Sequence, residues 1–190
     1  MKKIILLAAV ALMNTAVFAQ SWKVNKAHSH FTFTITHLAV SDVDGIFKDF
    51  DATITASKAD FSDAKVEFVA QTTSVNTSDD QRDGHLKSAD FFNVAKYPTL
   101  SFTSTSIKAT SPNHYKVTGN LTLTGVTKVV TFDLVYRGTI TNPMTKAPDS
   151  GFSVSGTINR SDYNFGSKFG SPMLGDEVTF KASGEFDKVN

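Results

Sequence analysis

The chain has 190 residues, with 19 basic and 18 acidic side chains and a formal charge of +1, and it contains no cysteine. This near-neutral balance provides no electrostatic footprint for nucleic acid or for an anionic membrane surface. Without cysteine there are no disulfides, so an apolar core must hold the fold together.

The first 19 residues have the parts of a secretory signal peptide: a basic Met1-Lys2-Lys3 start, an apolar run, and a small residue, Ala19, before the cut. The run is too short to span a bilayer stably, and no cysteine follows it for a lipoprotein anchor. We predict a signal peptide over 1–19, cleavage before Gln20, and a single domain over 20–190. Cleavage removes two lysines and leaves 17 basic and 18 acidic side chains. The predicted location is periplasmic or secreted, without a stable membrane anchor.

Apolar and polar residues alternate with period two through the rest of the chain, which is typical of half-buried β-strands. Phe31, Phe33 and Ile35, for example, alternate with threonines. Turn signals separate the runs, among them Asp44-Gly45 and Thr118-Gly119-Asn120. Eight strands are predicted, near 22–37, 43–57, 64–76, 98–109, 114–124, 127–140, 150–162 and 176–187. Their spacing predicts an all-β domain, either an antiparallel barrel or a sandwich.

One segment departs from this alternation. Ser78 and Gln81 have the spacing of a capping box, and the two acidic residues between them suit the positive end of a helix dipole. We predict a short helix over 79–88, with Leu86 and the following Phe91 providing an apolar face.

Three histidines could contact a metal or a ligand. His28 and His30 lie two residues apart on the first predicted strand, so their side chains share a face and could both ligate a metal. No third ligand is evident nearby, so we expect two solvated histidines and neither a metal nor another cofactor. His37 shares a face with Phe33 and Ile35, where it is either a hydrogen-bonded core residue or a polar contact for a ligand head group.

The predicted helix carries the residue types of a hydrolase: Arg82, Asp83, His85 and Ser88. Spacings of three on one helix do not build a catalytic triad, and the chain has no Gly-x-Ser-x-Gly turn. We therefore expect an ion-paired, structural helix that closes one end of the barrel, and a protein that is not an enzyme. Arg160 and Asp162 are expected to form a surface pair or to lie at the mouth.

The aromatic residues are 16 Phe, 4 Tyr and a single Trp. Phe has no polar group and can line a dry space without a hydrogen-bond partner. Such residues fit a filled barrel core and also a hollow barrel around an apolar ligand. The residues alone leave these two alternatives open.

Motifs spread along the mature chain carry a resemblance to a known family: Trp22, His28-Ser29, Phe33, His37-Leu38, Val43, Gly45, Phe47-Lys48-Asp49-Phe50, Thr73-Ser74-Val75-Asn76-Thr77, Arg82-Asp83-Gly84-His85, Lys96-Tyr97-Pro98, Gly119-Asn120-Leu121-Thr122, Phe152 and Arg160-Ser161-Asp162-Tyr163. In these motifs the chain resembles the YceI-like periplasmic proteins, also called the polyisoprenoid-binding family. Val129 departs from the pattern, because the family usually has Pro at this position.

This resemblance implies a lipocalin-like, eight-stranded antiparallel barrel that carries a long isoprenoid or similar amphiphile, with no catalytic residues to transfer. It favours the hollow barrel. The expected ligand contacts are Phe33, Ile35, His37, Phe47, Phe68, Arg82, His85, Leu86, Phe91, Phe102, Leu121, Leu123, Phe132 and Leu134. Two rivals remain: a stress-related interaction protein with a filled barrel, and a lipid-acting hydrolase or isomerase. A homodimer is left open.

Overall fold

The alternation of side chains along the sequence produces long strands with one face turned inward, and the computed structural model describes them over residues 19–189. The strands are β1 Gln20–Val24, β2 His30–His37, β3 Ser41–Phe47, β4 Phe50–Ala56, β5 Lys65–Gln71, β6 Val75–Asn76, β7 Thr99–Ser111, β8 His114–Leu123, β9 Val126–Thr141, β10 Pro148–Asn159 and β11 Leu174–Val189. The helix α1 spans Asp80–Lys87. No helix in this part of the chain is both long and apolar enough to cross a membrane.

The strands close into an antiparallel barrel. Neighbours follow the order β1-β4-β5-β7-β8-β9-β10-β11, and β11 pairs back with β1. The same edge of β11 also pairs with β2, which continues β1 after a short turn. In the same way β3 leads into β4, and β5 leads into β6. The predicted eight-stranded barrel is confirmed, with each of its first three strands interrupted once.

The interruption in the first strand separates the two histidines that were expected to share a face. His28 ends a 3-10 turn over Lys26–His28, whereas His30 begins β2. The Nδ1 atom of His28 lies 3.3 Å from a carboxylate oxygen of Glu185 at the surface. Over residues 19–189, no three His, Asp or Glu side chains come together as potential metal ligands.

Glycines on inward faces make room for phenylalanine rings. A Cβ on Gly45 would lie 2.2 Å from the Phe33 ring, and one on Gly156 would lie 2.2 Å from the Phe132 ring. The prediction of turns at Asp44-Gly45 and around Gly119 was wrong, since both glycines lie inside strands. These rings therefore lie against the barrel wall over glycine, which leaves space along the axis.

The loop over 57–64 closes one end of the barrel with the ring of Phe61, which is only 2% exposed. This ring packs 5.5 Å from Trp22 and 4.9 Å from both Tyr136 and Phe152, measured between centroids. The hydroxyl of Tyr115 donates a hydrogen bond to the Asp60 carbonyl in the same loop. An aromatic cluster therefore blocks this end.

Helix α1 lies at the opposite end, and its N-cap is Asp79 rather than the predicted Ser78. The Asp79 carboxylate accepts a 2.9 Å hydrogen bond from the Arg82 backbone N–H, and this bond lowers the pKa of Asp79. The buried Asp83 carboxylate accepts bonds from the Thr77 backbone N–H at 2.8 Å and from Asn76 Nδ2 at 3.1 Å. These contacts tie the helix to β6.

Candidate functional site

A cavity of about 500 Å³ lies between helix α1 and the barrel interior. Its walls are apolar side chains of strands β2, β3, β7, β8, β10 and β11, together with residues of the loop over 164–173. On the helix side, the cavity is bordered by polar side chains of α1 and of the residues just before it. The volume falls within the range of roughly 300–1,000 Å³ that small-molecule sites occupy. The barrel is therefore hollow at this end.

Every predicted ligand contact borders one of two cavities. Ten line the main cavity: Phe33, Ile35, His37, Phe47, Arg82, His85, Leu86, Phe91, Leu121 and Leu123. The other four line a second cavity of about 120 Å³ closer to the plugged end: Phe68, Phe102, Phe132 and Leu134. That these side chains contact a ligand stays a prediction.

An aromatic cluster joins α1 to the loop over 164–173 at the edge of the main cavity. The rings of Phe91 and Phe169 stack at 5.2 Å, and the His85 ring stands edge-on to them at 5.0 and 5.5 Å. The Asp90 carboxylate accepts a hydrogen bond from Lys168 and lies 3.4 Å from His85 Nε2. The Lys168 bond, followed by the His85 contact, lowers the pKa of Asp90. The mouth is thus framed by rings and by a carboxylate held ionised.

Arg160 is buried beside the main cavity, so the expected surface pair with Asp162 was wrong, whereas the alternative placement at the mouth fits Arg160. The side chain is only 5% exposed, and all five of its N–H groups donate to backbone carbonyls. The acceptors are Gly175 at 2.7 Å, Phe165 and Gly166 at 2.9 Å, Leu174 at 3.1 Å and Phe169. Carbonyl dipoles therefore compensate the buried charge. No donor of this guanidinium is left for a ligand, although Arg160 borders the cavity.

At the mouth, the guanidinium of Arg82 has N–H donors that are not used in hydrogen bonds within the described chain. Its Nε donates to the Thr77 hydroxyl and its Nη2 to the Thr77 carbonyl, both at 2.8 Å. Its Nη1 makes no hydrogen bond to any residue of the described chain. His37 and Gln81 border the same cavity. The mouth can therefore offer N–H donors to the polar end of an amphiphile.

The residue types that suggested a hydrolase are used in other contacts. Asp83 is bonded to Thr77 and Asn76, while His85 faces Asp90. The Ser88 hydroxyl accepts a bond from the Asp90 backbone N–H at 3.3 Å. Asp83 therefore does not orient His85, as a triad would require. These contacts fit a helix that frames the mouth.

Sequence reasoning did not include several side chains that line the main cavity: Leu100, Ile158, Phe165, Phe169, Met173, Leu174, Val178 and Phe180. Val178 and Phe180 lie on the inward face of the last predicted strand, so the alternation contained a signal for them. The residues from 165 to 173 belong to a loop without periodicity. Contacts with residues distant in the sequence bring that loop over the cavity, among them the bonds from Arg160 and the stacking of Phe169 on Phe91.

Comparisons with known proteins agree with this geometry. A UPF0312 protein of Staphylococcus aureus (strain bovine RF122 / ET3-1) is 41% identical over 164 residues, which cover 84% of this chain and 93% of the relative. The crystal structure of a Campylobacter jejuni YCEI protein is 30% identical with a TM-score of 0.72, covering 82% of this chain and 90% of that one. A polyisoprenoid binding domain from Saccharophagus degradans has a TM-score of 0.66 at 17% identity, covering 89% and 98%, and shows the shared fold.

The family match spans nearly all of the described barrel. The model of the YceI-like domain matches residues 22–186, from the first strand to the last. The chain therefore belongs to the YceI-like domain family.

Proposed function

We propose that this protein is an exported carrier, periplasmic or secreted, that holds a long isoprenoid or similar amphiphilic lipid inside its barrel. The observation that carries the proposal is the apolar cavity of about 500 Å³ in the barrel. Polar side chains frame this cavity at the α1 end, and Phe61 closes the opposite end of the barrel. The hydrocarbon chain enters from the α1 end. The head group stays at the mouth, near Arg82, His37 and His85.

Burial of the hydrocarbon supplies most of the binding free energy. Each methylene transferred from water contributes about 0.8 kcal/mol, so about ten buried carbon atoms contribute roughly 8 kcal/mol before the cost of association. Few polar contacts are then needed, and Arg82 and His85 suffice to orient a head group. The relative from Saccharophagus degradans, described as a polyisoprenoid binding domain, supports a prenyl chain as cargo.

Two rival functions fit the site less well. A filled barrel does not accommodate a cavity of this size, because protein interiors rarely contain voids much larger than a water molecule. A hydrolase or isomerase needs an oriented catalytic base, whereas Asp83, His85 and Ser88 are engaged in separate contacts. Replacing Ser88 with Ala is expected to leave lipid binding unchanged.

Native mass spectrometry of protein purified without detergent tests the carrier proposal. We expect a population that is heavier than the apoprotein by the mass of a lipid and that loses this mass on collisional activation. Lipid-free protein that also takes up no added prenyl alcohol would refute the carrier function. The same spectra report whether the protein is a monomer or a homodimer.

A variant that fills the cavity tests whether the interior is hollow in solution. Leu123 borders the main cavity, so Leu123→Trp is expected to displace bound lipid while the ligand-free form keeps its melting temperature. In the control Ala70→Leu, the enlarged residue is fully buried and borders neither cavity. Overpacking should cost this control about 1–3 kcal/mol. Equal destabilisation of both variants would indicate a packed interior.

Export is tested by the intact mass of protein recovered from outside the cytoplasm. The predicted mature chain begins at Gln20, which lies at the edge of the described residues. A recovered mass that still includes Met1 would contradict the signal peptide prediction.

A further inference from the structure

The two cavities of the barrel meet at three side chains. Leu100 of β7, Leu121 of β8 and Phe180 of β11 border the main cavity and also the smaller one. In the ring of eight strands, β7 and β11 are four positions apart and therefore face each other across the barrel. Leu100 and Phe180 thus approach the axis from opposite walls, which makes this level a constriction.

Phe180 is the side chain of the three with space around it. Both leucines are fully buried, whereas Phe180 is only partly buried. Its ring stacks on Phe31 at 5.5 Å with an interplanar angle of 10°. On the other side its strand partner is Gly156, over which the Phe132 ring lies. Because Phe180 is the least buried of the three side chains, its ring can turn with less displacement of neighbouring atoms than either leucine.

The smaller cavity has room for a short additional length of hydrocarbon. Its volume is about 120 Å³, and nearly all of its lining is apolar. A water molecule takes roughly 30 Å³ in the liquid and a methylene group is of similar size, so about four carbon atoms fit, close to one isoprene unit. Beyond it, Phe152 packs against Phe61 in the plugged end.

We propose that Phe180, against Leu100 and Leu121, is a gate that sets how far a hydrocarbon chain enters the barrel and hence which chain lengths bind best. This inference rests on the carrier function proposed above. A chain that fills the main cavity stops at Phe180. A chain one isoprene unit longer must turn the Phe180 ring aside to reach the smaller cavity, or leave that unit in water at the mouth.

Affinities for a series of all-trans prenyl alcohols, with one isoprene unit added at a time, test the gate. For the wild-type protein the affinity rises with each unit until the main cavity is full and then levels off. Phe180→Ala removes the gate, so the next unit should bind on the order of a hundredfold tighter than it does to the wild type. If Phe180→Ala is unstable, Phe180→Leu removes the ring with a smaller loss of side-chain volume and should give a smaller gain in affinity.

A second change provides the matched control. Ala52 borders only the smaller cavity, so Ala52→Leu combined with Phe180→Ala should fill the space behind the gate and abolish this gain in affinity. An unchanged plateau in folded Phe180→Ala and Phe180→Leu, with normal binding of the shorter alcohols, would overturn the gate and leave the carrier function intact. Failure of the wild type to bind any alcohol of the series would refute the carrier function, and the gate with it.

Discussion

Replacing Arg160 tests whether its buried guanidinium organises the mouth of the barrel. Arg160→Met keeps most of the side-chain volume but removes five hydrogen bonds to the carbonyls of residues 165, 166, 169, 174 and 175. Hydrogen bonds to a charged group contribute about 1.5–3 kcal/mol each. Part of this free energy is recovered, because the carbonyls of residues 165, 166 and 169 belong to a loop at the barrel end and can take up water, whereas those of residues 174 and 175 lie at the start of β11. We expect a loss of about 4 kcal/mol in the free energy of unfolding.

A graded series makes this estimate sharper. Arg160→Lys has at most three N–H donors on a single nitrogen and should lose about 2 kcal/mol. The control Arg82→Met removes two bonds to Thr77 at the partly exposed mouth and should lose about 1 kcal/mol. The expected order of stability is wild type, Arg82→Met, Arg160→Lys and Arg160→Met.

Urea unfolding monitored by tryptophan fluorescence measures these differences. Trp22 is the single tryptophan of the chain and is 5% exposed, so its emission reports unfolding of the barrel. A shift of about 4 kcal/mol corresponds to roughly 10 °C or more in the melting temperature of a domain of this size. A loss below about 1 kcal/mol for Arg160→Met would refute the view that this network holds the loop.

Three further changes test other parts of the structure. Gly45→Ala should push the Phe33 ring into the cavity, because the new Cβ would lie 2.2 Å from it, and so lower the amount of lipid bound in native mass spectra. The Tyr163 hydroxyl has no hydrogen-bond partner within residues 19–189, and burial, then the Asp162 charge, raises its pKa to about 12. Since the unfolded value is about 10, the wild type should lose about 2–3 kcal/mol of stability as pH rises from about 10 to 12, and Tyr163→Phe should be spared this loss. Leu38→Asn with Ala39→Gly, at two adjacent positive φ values of 52° and 58°, should raise the melting temperature by about 3 °C through relief of strain.

The number of strands and their inward faces could be predicted from the sequence, because alternation with period two is a local property of the chain. Phe31, Phe33 and Ile35 are buried on β2 as the alternation indicates. The helix also followed from local signals, the spacing of a capping box and an acidic start. The capping residue could not be predicted in this way, because Ser78 and Asp79 are both suitable N-caps and only the backbone geometry selects Asp79.

Whether the barrel is hollow depended on contacts between residues far apart in the sequence. Gly45 and Gly119 indicate turns when read locally, but in the barrel they accept rings from neighbouring strands. Arginine is usually a surface residue, and the five acceptors that bury Arg160 come together only in the fold, from the loop over 164–173 and from the start of β11. The alternation that predicts which side chains point inward carries no information on how closely opposite walls approach. Only the closed barrel therefore determined the cavity volume, which end is open and where Phe180 lies.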